Sequence, residues 1–209
     1  MKKEIAVTGI FVAITATPFL WPSILTARGT GGWSTPGIEL LVFPVLIALF
    51  IWSVGVVTRL IRFVAKGQRA KKESISPQVT LGIIIGGAIG IWLGGELRMY
   101  GFALAAERAE PMIEAIEEFT RDEGHPPDEL SALVPTYIVE LPTKLPPLDI
   151  VTDSEKLAEY GNNPWALSAL VSRGLSNWDR FIYFPDQEYP ERGFGGGLER
   201  IGGWAYVHE

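Results

Sequence analysis

Two histidines, His125 and His208, and no cysteine occur in 209 residues. Nitrogen and thiolate ligation of a metal is therefore nearly closed to this chain. Oxygen ligands are more plentiful. Asp179, Asp186, Glu188 and Glu191, with Glu199 close behind, lie in or beside turn-rich segments of the last third, and such carboxylates suit a hard cation such as calcium. No alternating Asp-x-Asp-x-Asp run is present, so calcium is the one cofactor these residues admit, and solvated acidic loops are the plainer reading.

Catalytic groupings are scarce. His125 precedes two prolines in a turn with no partner to make it a general base, and His208 lies at a frayed end. Gly-x-Ser-x-Gly, a phosphate-cradling glycine loop and His-Glu-x-x-His are all missing. The stretch "GFGGGLERIGG" lacks the strand-then-helix setting of a dinucleotide loop and reads as a flexible hairpin connection. The expectation is a protein that is not an enzyme. The nine aromatic residues between Trp165 and Tyr206 read as the core of a small sheet, or, if several stand exposed together, as a contact surface.

The elements that must position these residues are unevenly apolar. Residues 5–25, 40–57 and 79–97 are three windows without a central charge, each close to the ~20 residues that cross a hydrocarbon layer. Three transmembrane helices are expected. Lys2 and Lys3 before the first window resemble a signal peptide, but Pro18, Trp21 and Pro22 sit badly in a cleavage region and favour a retained helix. Within the third window Gly82, Gly86, Gly90 and Gly94 recur every fourth residue and so share one helical face. Such a face lets another helix come close, either one of this chain or one of a partner.

Charge fixes the expected topology. Residues 1–77 hold nine Lys/Arg and three Asp/Glu, whereas residues 78–209 hold nine and twenty-one. Arg59, Arg62, Lys66, Arg69, Lys71 and Lys72 fill the short loop 59–72, which the positive-inside rule keeps in the cytoplasm, beside lipid head groups and without nucleic acid. Residues 98–209 are then expected outside the cytoplasm.

Helical periodicity continues past Leu97. Leu104, Met112, Ile113, Ile116 and Phe119 recur on one side of a rod of roughly 45 residues, which Pro111 is expected to kink or divide. Gly124, Pro126 and Pro127 end it. A short helix is expected at 128–134 and another at 153–160. The proline-rich stretch 134–150 reads as an extended connector. Three runs, "WALSALVS", "WDRFIYF" and "GWAYVH", are expected to form an antiparallel meander packed on the amphipathic half of the rod. The fold class is an α+β membrane protein.

The stretch "AIEEFTRDEGHPPDELSALVPTYIVELP" resembles the type IV pilin and type II secretion pseudopilin family: Ala115 and Ile116 end a helix, Asp122 and Gly124 make a polar turn, Pro127 follows, and Leu130, Leu133, Pro135 and Pro142 complete the pattern. The resemblance covers the C-terminal part. It departs at the other end, where two apolar windows precede the rod and Glu96 stands at its far end rather than near its start. The resemblance implies a bacterial inner (plasma) membrane protein with an extracytoplasmic pseudopilin-like α+β domain, serving as a non-enzymatic scaffold or accessory subunit of an envelope assembly, with a protein partner for that domain. Alternatives are a small membrane enzyme or transport component, and a calcium-stabilised binding domain.

Overall fold

The computed structural model describes residues 2–35, 40, 42–66, 77–159, 163–173, 177–189 and 197–208. The chain folds as two compact units: Met1–Trp21 with Gly37–Gly95, and Pro22–Pro36 with Glu96–Glu209. The expected division into 1–77, 78–97 and 98–209 therefore omits one exchange. Residues 22–36, expected with the membrane helices, belong with the sheet.

The first unit is helical. It contains most of α1 (Lys2–Arg28), all of α2 (Val42–Lys66) and the first part of α3 (Pro77–Glu123). α1 and α3 are long and apolar enough to cross a membrane, and 11% of the apolar stretch of α1 is buried. Two such helices stand where three were expected. The shortfall is α2, whose apolar run among the described residues is confined to Val45–Gly55. Polar side chains in these helices turn back on their own backbone: Thr8, Thr15 and Thr17 donate to Glu4, Phe11 and Ala13, and Thr58 to Val54, each four residues earlier. Such bonds leave no hydroxyl in need of water.

The glycine face meets α1 of the same chain. A methyl built on Gly82 would lie 2.7 Å from Phe11 Cβ, one on Gly86 2.6 Å from the Val12 oxygen, and one on Gly90 3.0 Å from Ala16 Cα. Gly94 is buried as well. Numbers rise together along both helices, so α1 and α3 run parallel. Of the basic residues expected in a loop, Arg59, Arg62 and Lys66 fall in the last turns of α2, while Arg69, Lys71 and Lys72 lie outside the described residues.

In the second unit α1 ends at Gly29, whose φ of +69° suits glycine. Its N–H donates to Thr26 O at 2.9 Å and that of Thr30 to Leu25 O at 3.0 Å, the paired bonds that close a Schellman cap. α3 is unbroken through Pro111. The proline sits on the solvent side, where the carbonyl of exposed Glu107, deprived of its N–H partner, can turn to water. Gly124, with φ of +78°, ends the helix as expected.

Beyond α3 the expected short helix is a 3-10 turn at Leu130–Leu133, and α4 is Ser154–Glu159. The sheet has five antiparallel strands, not three, in the order β1 (Asp149–Val151), β2 (Ala166–Leu170), β3 (Arg180–Tyr183), β5 (Trp204–Val207), β4 (Leu198–Ile201). The two additions are its edges. β1 closes the proline-rich connector, and β4 lies inside the glycine stretch read as a loop, leaving Gly202 and Gly203 as the turn. One face packs Leu167, Ala169, Phe181, Trp204 and Tyr206 against Phe102, Ala105, Met112 and Ile116 of α3. Behind it, Ala166, Ile182, Phe184 and Val207 gather with Leu157 of α4. With both faces covered, β5 is buried at every position, and simple alternation is lost. Burying a ring such as Phe102 stabilises by about 1.5–3 kcal/mol.

Candidate functional site

Arg98, 3% exposed, is a buried cation of the sheet domain. It follows Gly94 by four residues and so continues the glycine face as a cation. Its Nη1 donates to Gly32 O at 2.9 Å, and its Nη2 to Trp33 O at 2.7 Å and Val171 O at 2.6 Å. The guanidinium carbon lies 5.1 Å from the centre of the Phe102 ring and 5.9 Å from that of Tyr206. Arginine suits this place because its planar fork can reach several carbonyls while its face rests on rings.

The carbonyls are presented by a tight loop. At Gly32 φ is +72°, and a Cβ there would fall 2.2 Å from the Pro22 oxygen, so only glycine lets the chain curl back over α1. Thr35 N and Ser34 Oγ then donate to Ser172 O at 2.7 and 3.3 Å. Loop 29–35, α3 and the end of β2 thus meet on one cation.

Asp179 belongs to the same cluster. Buried at 2% exposure, it accepts from the Tyr206 hydroxyl at 2.5 Å, and its backbone oxygen accepts from Val171 N at 2.7 Å. Asn177 Oδ1 accepts from the backbone N–H of Arg173 and Asp179, both at 3.1 Å, and fixes the turn. Burial, chiefly, pushes the Tyr206 phenol up to about 12, with Arg98 opposing and Asp179 adding. Burial and then the like charge of Arg98 lower Arg173.

The Tyr206 phenol predicts an alkaline limit. Its folded value lies above the unfolded value of about 10, so its contribution is complete below pH 10 and is lost as pH rises through 12. The expected loss across that window is about 2–3 kcal/mol. Thermal midpoints in detergent should hold to pH 10 and then fall, and Tyr206→Phe should flatten that fall.

A second feature is an open groove of ≈ 510 Å³ between α3 and the β4–β5 turn, lined by Glu107, Glu110, Glu114 and Glu117 on one side and Tyr183 and Trp204 on the other. Its strand wall is braced. Tyr189 OH donates to Gly203 O at 2.6 Å, and Arg200 lies 3.9 Å above the Tyr189 ring while donating to Gln187 Oε1 at 2.9 Å. Burial pushes Tyr189 up to about 12, and burial followed by Glu117 raises Tyr183. Carboxylates beside aromatic faces suit a cationic group.

Among the described residues, those considered for calcium stand on different segments. Asp179 stands just before β3, whereas Asp186 and Glu188 follow its other end; Asp186 N is tied to Asn163 Oδ1 at 3.3 Å. Glu199 lies on β4, 3.7 Å from His208 Nε2. Glu191 is outside the described residues. Among the described residues no group of three or more His, Asp or Glu could hold a metal. His125 is exposed, its ring 6.0 Å from that of Phe119. Sequence reasoning missed Arg98, although a lone cation in step with four glycines was a visible signal.

No protein-family model, curated protein or solved structure matches the chain.

Proposed function

We propose that this chain is a non-enzymatic multi-pass membrane protein that holds a pseudopilin-like α+β domain outside the cytoplasm, in a bacterial inner membrane, as a scaffold or accessory subunit of an envelope assembly. The observation that carries the membrane reading is the apolar surface that α1 and α3 leave open, with Ile5 and Trp92 each 67% exposed. Parallel α1 and α3 also need a return between them. If both cross the lipid in one direction, the chain between them must return, and α2, whose apolar run among the described residues is Val45–Gly55, is the segment that would carry the return. The basic residues at the end of α2, which the positive-inside rule would hold in the cytoplasm, support an outer placement of the sheet domain.

The long helix, the 3-10 turn and the antiparallel sheet support the pilin-like reading of the domain. Contact with a partner is supported by the groove, where four glutamates face Tyr183 and Trp204. The chain has no cysteine, so His125→Cys gives one thiol. In intact cells it should react with a membrane-impermeant maleimide, and labelling only after lysis would overturn the topology. On native gels in mild detergent the wild type should migrate as a larger assembly, and a Glu110→Lys, Glu114→Lys variant should be released from it. Identical migration of both as monomers would sink the scaffold reading.

A further inference from the structure

We propose that the groove beside α3 receives a basic helix of a partner protein, one that carries arginine or lysine at spacings of three and four residues. This rests on the scaffold reading above and names the chemistry of the partner. Glu107, Glu110, Glu114 and Glu117 stand three, four and three residues apart, so they share one side of α3 and form a row about 15 Å long. All four are exposed, and among the described residues none has an ion pair or a hydrogen bond. Like charges at those spacings oppose the helix that carries them, and a matching row of cations would relieve that repulsion.

The opposite wall makes the row a groove rather than a solvated face. Tyr183, Ile201 and the Gly202–Gly203 turn stand across from it, with Ile113 and Trp204 in the lining, around ≈ 510 Å³. The carboxylates act across that gap: after burial, Glu117 is the chief cause that raises the Tyr183 phenol, and Glu110 adds to it. Long basic side chains suit such a lining, since their stems lie on apolar surface while their heads reach carboxylates and ring faces. The domain's own cations leave the opening acidic. Arg108 donates to Lys144 O at 3.4 Å, on a neighbouring side of α3. Arg180 and Arg200 alternate with Phe181 and Ile201 and so lie on the other face of the sheet. From there Arg200 reaches the rim, donating to Gln187 Oε1 at 2.9 Å and Gly202 O at 3.2 Å with its guanidinium over the Tyr189 ring. Arg121, four residues past Glu117, bounds the row. Four glutamates against one arginine at the rim and one at the end select a cationic occupant, and the acidic balance of the domain would steer it in.

The test uses the full chain in phosphatidylcholine nanodiscs, with empty nanodiscs as the blank, and two fluorescent helical peptides of one composition. In the first peptide four arginines are spaced three, four and three residues apart; in the second they are adjacent. Fluorescence anisotropy should show the spaced peptide binding several-fold more tightly. Glu110→Gln with Glu114→Gln should weaken it about tenfold, whereas Glu123→Gln with Glu140→Gln, equal in charge but outside the groove, should change it less than about twofold. Equal binding of both peptides, or equal loss in both double variants, overturns the proposal in favour of general attraction to an acidic domain. Spermine that binds more tightly than the spaced peptide, with the same dependence on Glu110 and Glu114, overturns it in favour of a small-cation site. No binding of the spaced peptide by a wild type that still migrates as a larger assembly overturns the groove alone. Binding by a wild type that migrates as a monomer keeps the groove and removes the assembly.

Discussion

Arg98→Met is expected to lower the unfolding free energy of the sheet domain by about 4 kcal/mol, because three buried carbonyls each lose a charged donor at about 1–3 kcal/mol, part of which is offset by no longer burying a cation. The acceptors are Gly32 O, Trp33 O and Val171 O, which join loop 29–35 and the end of β2 to α3. Arg98→Lys should recover about half of the loss, since an ammonium carries three donors but lacks the flat fork that reaches diverging oxygens. Near-ultraviolet circular dichroism during urea titration in detergent would report it, because the Phe102 and Tyr206 rings lie against the guanidinium and the Trp33 ring packs on Phe102. A change below about 1 kcal/mol for Arg98→Met would mean that desolvation cancels the bonds and that the cluster positions the loop without stabilising it.

The second large effect concerns the glycine face. Gly86→Leu should cost about 3 kcal/mol or more, because even a Cβ would press to 2.6 Å against the backbone oxygen of Val12 and 2.9 Å against its Cα, atoms that no rotamer can move aside. The helices must separate, and dispersion between them falls off steeply with distance. Gly95→Leu is the control: nothing lies within 4 Å of a Cβ there. Thermal midpoints in the same detergent should drop for the first variant and stay near the wild type for the second. Equal tolerance of both would show that close approach of α1 and α3 contributes little.

Much of this was legible locally. The four-residue glycine rhythm needed no partner to be visible, and its partner proves to be the chain's own first helix. The rod was readable because Met112, Ile113 and Ile116 keep helical spacing, and its passage through Pro111 was not, because a proline on the wet side of a helix loses a hydrogen bond that water can replace. Trp165, Leu167, Ala169 and Val171 were readable as one face, all of them now buried in one core. The edge strands were hidden for opposite reasons. β1 has three residues behind prolines, and β4, Leu198–Ile201, carries Glu199 and Arg200 between glycines, a composition that resists pairing with other chains and so looks like loop.

The seat of loop 29–35 was the least accessible, since Ser34 and Ser172 meet across 138 residues and nothing in either neighbourhood names the other. Arg98 lay between. Its place in the glycine register marked it as facing inward, but the identity of its acceptors depends on a fold that local spacing does not encode.

That distant seating has a consequence for the order in which the protein matures. Trp33 leaves the ribosome before the residues it binds, since its backbone acceptor role and its ring contact with Phe102 require Arg98, Val171 and the finished sheet. At roughly 5–20 residues per second the early segment waits many seconds for its pocket to exist. A soluble head cut to begin at residue 98 would carry the pocket and lack its plug, with Arg98 robbed of two of its three acceptors. Anyone expressing the head by itself should carry residues 22–36 along, in cis or as an added peptide.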